Sequence, residues 1–183
     1  MPKVLVPLAQ GCEELEAVTI IDLLRRAKIE VTTAGLDNKT VTASRGVKLV
    51  PDTDLDTALK QDYDMVVLPG GLPGADHLDN DPRIKTLLKK MAADEKYTAA
   101  ICAAPMALAN AGVLEGKQAT SYPGMLDKMN LPNIEIRNEP VVIDGNVITS
   151  RGPGTAMDFA LALIETLCGM DKRIEVETAL VRS

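Results

Sequence analysis

Apolar and polar residues alternate in blocks along this chain, and the period inside each block sets the element it predicts. Lys3 to Ala9 is a short apolar run that stops at Gln10-Gly11, as a buried strand does. From Glu13 to Ala27 the apolar residues Ala17, Ile20, Ile21, Leu24 and Ala27 fall on one helical face. Glu13 and Glu14 in the first turn and Arg25, Arg26 and Lys28 at the end complement the helix dipole. Ile29 to Gly35 reads as a second strand, so these residues form a β-α-β unit, whose crossover between parallel strands is right-handed by general rule.

The pattern continues in the same style. Residues 40 to 57 mix Thr, Val and Asp with short apolar stretches and predict a small edge hairpin. Tyr63 to Pro69 is a buried strand that runs into the flexible turn Gly70-Gly71-Leu72-Pro73-Gly74, and Pro82 opens a helix to about Ala93. Tyr97 to Cys102 is the next strand, and Ala104-Pro105 starts a helix to about Ala111. Val141 to Ile143 and Val147 to Ser150 flank Asp144-Gly145, a type I′ hairpin signal. After Gly152-Pro153-Gly154, the residues Ala156, Phe159, Ala160, Leu163, Ile164 and Leu167 mark an amphipathic helix that ends before Gly169, with a last helix from Lys172. Strands alternating with helices predict an α/β sandwich with a mostly parallel sheet, in a single domain over residues 1–183.

Composition narrows the function more than the fold. Hydrophobic residues make up 46% of the chain, but they are aliphatic, with one Phe, three Tyr and no Trp, as suits buried parallel strands and their covering helices. A net charge of -6 with no basic run argues against nucleic acid as a primary partner. No stretch approaches the roughly 20 apolar residues a membrane span needs. The opening residues run straight into a strand, so a soluble cytoplasmic protein with no membrane partner is expected. Three cysteines, Cys12, Cys102 and Cys168, are too few for a disulfide framework and suit a reducing compartment. No zinc spacing, Walker loop or dinucleotide fingerprint is present, and neither metal nor cofactor is expected. The single histidine, His77, reads as a polar surface residue.

Sites in open α/β sheets form at the carboxyl ends of the strands, and three loops there carry unusual residues: 11–16, 69–74 and 101–105. A thiol held where a strand turns into a helix faces unpaired N–H groups that favour thiolate, which makes Cys102 a candidate nucleophile. By position alone it is equally well described as a small buried hydrophobe ending an apolar strand. Glu13 and Glu14 are accounted for by the helix dipole. Glu16 can point inward, where burial raises a carboxyl's pKa and lets it share a proton with a nearby thiolate. The glycines at 70, 71, 74, 152 and 154 allow turns and can present N–H groups to an oxyanion.

Four segments in order resemble the ThiJ/PfpI superfamily, in its branch of DJ-like deglycases: 11–17 (Gly-Cys-Glu-Glu-Leu-Glu-Ala), 66–71 (Val-Val-Leu-Pro-Gly-Gly), 100–105 (Ala-Ile-Cys-Ala-Ala-Pro) and 149–155 (Thr-Ser-Arg-Gly-Pro-Gly-Thr). The resemblance implies a flavodoxin-like three-layer α/β/α sandwich, a homodimer, and a nucleophile-elbow cysteine of low pKa. Carried over by position, Cys102 is the reactive cysteine and Glu16 the protonated carboxyl bonded to it. The amides of Gly71 and Ala103 stabilise an oxyanion or oxidised sulfur, and Arg26, Arg45 and Arg151 match arginines near the site or the dimer contact. Two departures shape the expected chemistry. Ala103 stands where the protease-like branch has histidine, and Ser121-Tyr122-Pro123 replaces a histidine-bearing segment, which makes peptidase activity improbable and leaves Glu16 as the obvious acid–base group. The resemblance therefore implies a cofactor-independent glyoxalase or deglycase acting on methylglyoxal-type aldehydes or their adducts. The alternative is an oxidative-stress sensor or chaperone in which Cys102 becomes a sulfinate.

Overall fold

The structure is a computed structural model that describes residues 1–183. Along the chain, β1 (Lys3–Leu8) leads through α1 (Glu14–Arg26) to β2 (Glu30–Gly35), followed by the short strands β3 (Val41–Thr42), β4 (Lys48–Leu49) and β5 (Thr53–Asp54) and the single turn α2 (Leu55–Ala58). Then come β6 (Met65–Leu68), α3 (Gly74–Asn80), α4 (Pro82–Ala93), β7 (Tyr97–Ile101) and α5 (Pro105–Asn110). The last third holds β8 (Gln118–Ala119), β9 (Glu135–Ile136), β10 (Val141–Asp144), β11 (Val147–Ser150), α6 (Ala156–Cys168) and α7 (Met170–Ala179).

Seven strands form the central sheet in the order β10-β11-β7-β6-β1-β2-β5. Every pairing is parallel except the β10–β11 hairpin at one edge. Because alternate residues of a strand face opposite sides, the sheet divides two apolar cores of nearly equal size, 26 and 25 buried residues. Val4, Val6 and Leu8 of β1 pack with Ile20 and Leu24 of α1 and with Phe159 and Leu163 of α6 on one side. Leu5, Val66 and Leu68 pack with Leu78, Ile84 and Leu88 of α3 and α4 on the other. This is a flavodoxin-like α/β/α sandwich with a mostly parallel sheet. The chain leaves β1 toward β2 on one flank and resumes with β6 on the other, so strand order reverses between β1 and β6. Loops at the carboxyl ends of those two strands diverge and leave a crevice.

Several local expectations are corrected. Between the 70–74 turn and the helix opened by Pro82 lies a further helix, α3 (Gly74–Asn80), that the pattern did not predict. The 40–57 region does hold the antiparallel pair β3–β4, but its end also supplies β5 at the sheet edge and the turn α2, whose N-cap is the Asp54 side chain. In the last hairpin Asp144 still pairs with Val147, so the loop is Gly145-Asn146. Only Gly145 takes a positive φ there, +59°, which excludes the type I′ geometry. The final helix starts at Met170, two residues early. No helix is long and apolar enough to cross a membrane.

Candidate active site

The strand β7 ends at Ile101, and the backbone folds sharply at Cys102, which holds a left-handed φ of +65°. A non-glycine residue there stores strain on the order of 1–3 kcal/mol and persists only where its surroundings fix it. Both backbone groups of Cys102 are fixed: its N–H donates to the Ser150 carbonyl at 3.0 Å, and its carbonyl accepts from the Tyr122 N–H at 2.8 Å. The thiol is thus displayed at the sheet edge at the start of α5, with 8% of the residue exposed.

Glu16 approaches from the first turn of α1. It is fully buried, and Oε1 accepts from the Gly70 N–H at 2.9 Å. Oε2 is sealed from solvent and makes no hydrogen bond of regular geometry. Gly70 makes the meeting possible: a Cβ there would lie 2.5 Å from Cys102 Cβ, 2.6 Å from the Ile101 carbonyl oxygen and 2.7 Å from Glu16 Oε1. Burial pushes the Glu16 carboxyl up to about 7, with the Gly70 N–H and the Cys102 thiol pulling the other way.

The thiol departs from the expected low pKa. Burial and the neighbouring Glu16 carboxylate push it up to about 12, against the Gly71 and Ala103 N–H groups, which favour thiolate. The dipole offered by α5 is small, because that helix has only six residues. Cys102 and Glu16 form a couple with one proton between them. The reactive arrangement is the one in which the carboxyl holds that proton and the two amides face the thiolate. Gly71 can serve in this way because its φ of +87° turns the backbone beside Glu13 without a side chain in the way.

Above the thiol is a cleft of about 340 Å³, lined by Glu13, Ser44, Arg45, Gly71, Leu72, Cys102, Ala103, Tyr122, Met125 and Pro153. Of the residues expected at the site, Cys102, Gly71, Ala103 and Arg45 line this cleft, and Glu16 lies beneath its floor. Arg26 does not enter it: it pairs with Asp22 and borders a separate hollow with Val18, Ile21 and Val50. Arg151 also stays outside, its guanidinium donating to the Asn138 carbonyl at 3.2 Å. Glu13, Leu72 and Pro153 lie in segments the sequence singles out but were given no place in the cleft, whereas Ser44 and Met125 lie in no such segment. Their convergence depends on loops that meet only in the folded chain. Glu14, assigned to the helix dipole, instead anchors the loop that carries Arg45. Its carboxylate accepts from the N–H groups of Arg45 at 3.0 Å and Val47 at 3.2 Å and from the Ser44 hydroxyl at 3.1 Å. No group of three or more His, Cys, Asp or Glu is arranged to hold a metal ion.

A strained cysteine at a strand-to-helix elbow, coupled to a buried carboxyl at the switch point of a parallel sheet, defines a thiol-centred α/β protein of the elbow type. The profile of the DJ-1/PfpI family matches residues 2–166, and the chain belongs to that family. Among its relatives is the Arabidopsis thaliana Protein DJ-1 homolog B, 48% identical over 97% of this chain. The chain spans only 41% of that relative's length. The Caenorhabditis elegans Glutathione-independent glyoxalase DJR-1.2 is 36% identical over 89% of this chain and 87% of its own. Among solved structures, Drosophila melanogaster DJ-1beta superposes with a TM-score of 0.95 at 44% identity, covering 100% of this chain and 98% of the other.

Proposed function

We propose that this protein is a cofactor-independent glyoxalase or deglycase that acts on methylglyoxal-type α-oxoaldehydes or their early adducts. The observation that carries the reading is the Cys102–Glu16 couple with the Gly71 and Ala103 amides at the floor of a small cleft. A relative named a glutathione-independent glyoxalase supports it. The Cys102 thiolate adds to the aldehyde carbon, and the oxyanion formed takes a proton from Glu16 to give a hemithioacetal. Glu16, now ionised, removes the hydrogen of that carbon and returns it to the neighbouring carbonyl carbon, while the oxygen-bound proton moves between the two oxygens. One carbon is oxidised and the next reduced, so no external oxidant enters. The resulting thioester is hydrolysed by water to lactate. Purified protein should convert methylglyoxal to lactate, and Cys102→Ser should lose this activity by three or more orders of magnitude. Full turnover by that variant would end the proposal.

A second reading rests on the unpartnered Glu16 Oε2 and the two amides, which also suit a Cys102 sulfinate made by peroxide. Selective addition of two oxygens at Cys102 by mass spectrometry, in a protein without lactate production, favours this sensor role.

The proposal includes a homodimer. Leu15 and Val18 on α1, with Val47 and Val50 beside β4, are exposed and apolar next to the hollow that Arg26 borders. A monomer mass by light scattering at micromolar concentration would refute it.

A further inference from the structure

Hydrolysis of the thioester needs a base that reaches water, and Glu16 is badly placed for that. It lies fully buried beneath the thiol with Oε2 unpartnered, where it serves the carbon-bound hydrogen. Among the side chains lining the cleft, Glu13 is the only carboxylate, accompanied by the Ser44 hydroxyl, the Arg45 cation and the Tyr122 phenol. Glu13 is half-buried and packs directly on Gly71, with Cβ 3.0 Å from where a Gly71 Cβ would lie. Its backbone N–H donates to the Gly70 carbonyl at 2.8 Å. The carboxylate therefore stands on the open side of the same glycine pair whose hidden side holds Glu16.

Ser44 adds a means of holding a proton. Its hydroxyl lies 3.1 Å from Glu13 Oε2 and 3.1 Å from Glu14 Oε1, yet it has one hydrogen to give. With Glu13 ionised, one of these two contacts has no hydrogen. Once Glu13 takes up a proton, it donates to Ser44 Oγ and Ser44 donates to Glu14, so both contacts become hydrogen bonds. Glu14 is already held ionised by backbone N–H groups, although burial opposes this. A proton taken from water by Glu13 therefore has an acceptor within hydrogen-bond distance at Ser44 Oγ.

We infer that Glu13 is the general base that activates water against the Cys102 thioester, an assignment that rests on the glyoxalase reading above. Glu13 takes one proton from the attacking water as the new C–O bond forms. The tetrahedral oxyanion, facing the Gly71 and Ala103 amides, collapses with cleavage of the C–S bond, and the thiolate leaves. The product acid's proton returns to Glu16, and Glu13 releases its own to solvent.

The test compares wild type with Glu13→Gln, which keeps an acceptor for the α1 cap at Leu15. Both proteins turn over methylglyoxal and are then quenched with hydroxylamine, which releases a lactoyl thioester as lactohydroxamate, whereas a hemithioacetal falls apart and gives only the oximes of methylglyoxal. The expected result is kcat lowered about a hundredfold in Glu13→Gln, with lactohydroxamate released from Cys102 in the variant only. Turnover within threefold of wild type overturns the inference. So does slow turnover without trapped lactoyl thioester, because the loss then lies in an earlier step or in the fold. As a second variant, Glu13→Ala should recover hydrolysis in buffered formate, and failure to recover counts against the assignment even if Glu13→Gln misfolds. Absence of lactate from wild type defeats the glyoxalase reading itself, and this role with it.

Discussion

Glu14 and Glu16 stand two residues apart in the first turn of α1, and the fold treats them in opposite ways. The Glu14 side chain reaches across to the 44–47 loop and accepts hydrogen bonds with both oxygens. Those bonds overcome its burial and hold it below the usual carboxylate range. Glu16 turns inward and receives one N–H, and burial lifts it to about 7. The two ends of this comparison teach that burial alone does not neutralise a carboxyl. The supply of donors decides the outcome, and a site that needs a proton carrier withholds them.

The largest effect that would sharpen this contrast is on turnover. Glu16→Gln should lower lactate formation about a thousandfold while making the Cys102 thiolate easier to form, because the carboxylate that opposes it is gone. Alkylation of Cys102 by iodoacetamide across a pH series should then show a midpoint below about 12. An unchanged midpoint would mean that the two groups are not coupled.

Next in size is the dependence of stability on pH. Glu16 binds its proton more tightly folded than unfolded, so the folded state is favoured while the carboxyl is protonated. That advantage is lost as pH rises from about 4.5 through about 7. The loss should be on the order of 3 kcal/mol in urea unfolding, and Glu16→Gln should abolish it. Glu14 has the opposite sign, since its folded pKa is lowered: its stabilisation is present above the unfolded value of 4.5 and vanishes as pH falls through the folded one. Glu14→Gln should therefore cost about 1 kcal/mol at pH 7 and nothing in acid. A neutral-pH stability equal to wild type would break the comparison. The smallest effect is expected from Ser44→Ala, about 0.5 kcal/mol, because the backbone donors to Glu14 remain.

The sandwich could be read from the chain because long periodic segments dictate their own partners: the face of α1 carrying Ala17, Ile20 and Leu24 has only the sheet to bury against. Short elements escaped. β5, β8 and β9 have two residues each, and a two-residue strand leaves no periodicity to detect. Cys102 and Glu16 stood out as a cysteine at a strand end and an acidic residue on the inward side of a helix. The raised thiol was missed because a helix-terminus argument concerns α5 alone, whereas the field at Cys102 is dominated by burial and by a charge from α1. The rest of the cleft was hidden for a related reason. Ser44 and Met125 line the cleft from loops that no motif marks, and their meeting depends on the order of strands.

The two backbone hydrogen bonds that clamp Cys102 also set how the site is reached. Releasing the elbow requires breaking contacts to both Ser150 and Tyr122, in segments 48 and 20 positions away in the chain. The backbone that carries the sulfur is therefore fixed, and a reactant must travel to it through the 340 Å³ cleft. Selection then falls on reach: a group on a slender stem arrives, while one carried on a folded surface stops at the rim. The amide of Cys102 should correspondingly be among the last in its neighbourhood to exchange with deuterated solvent.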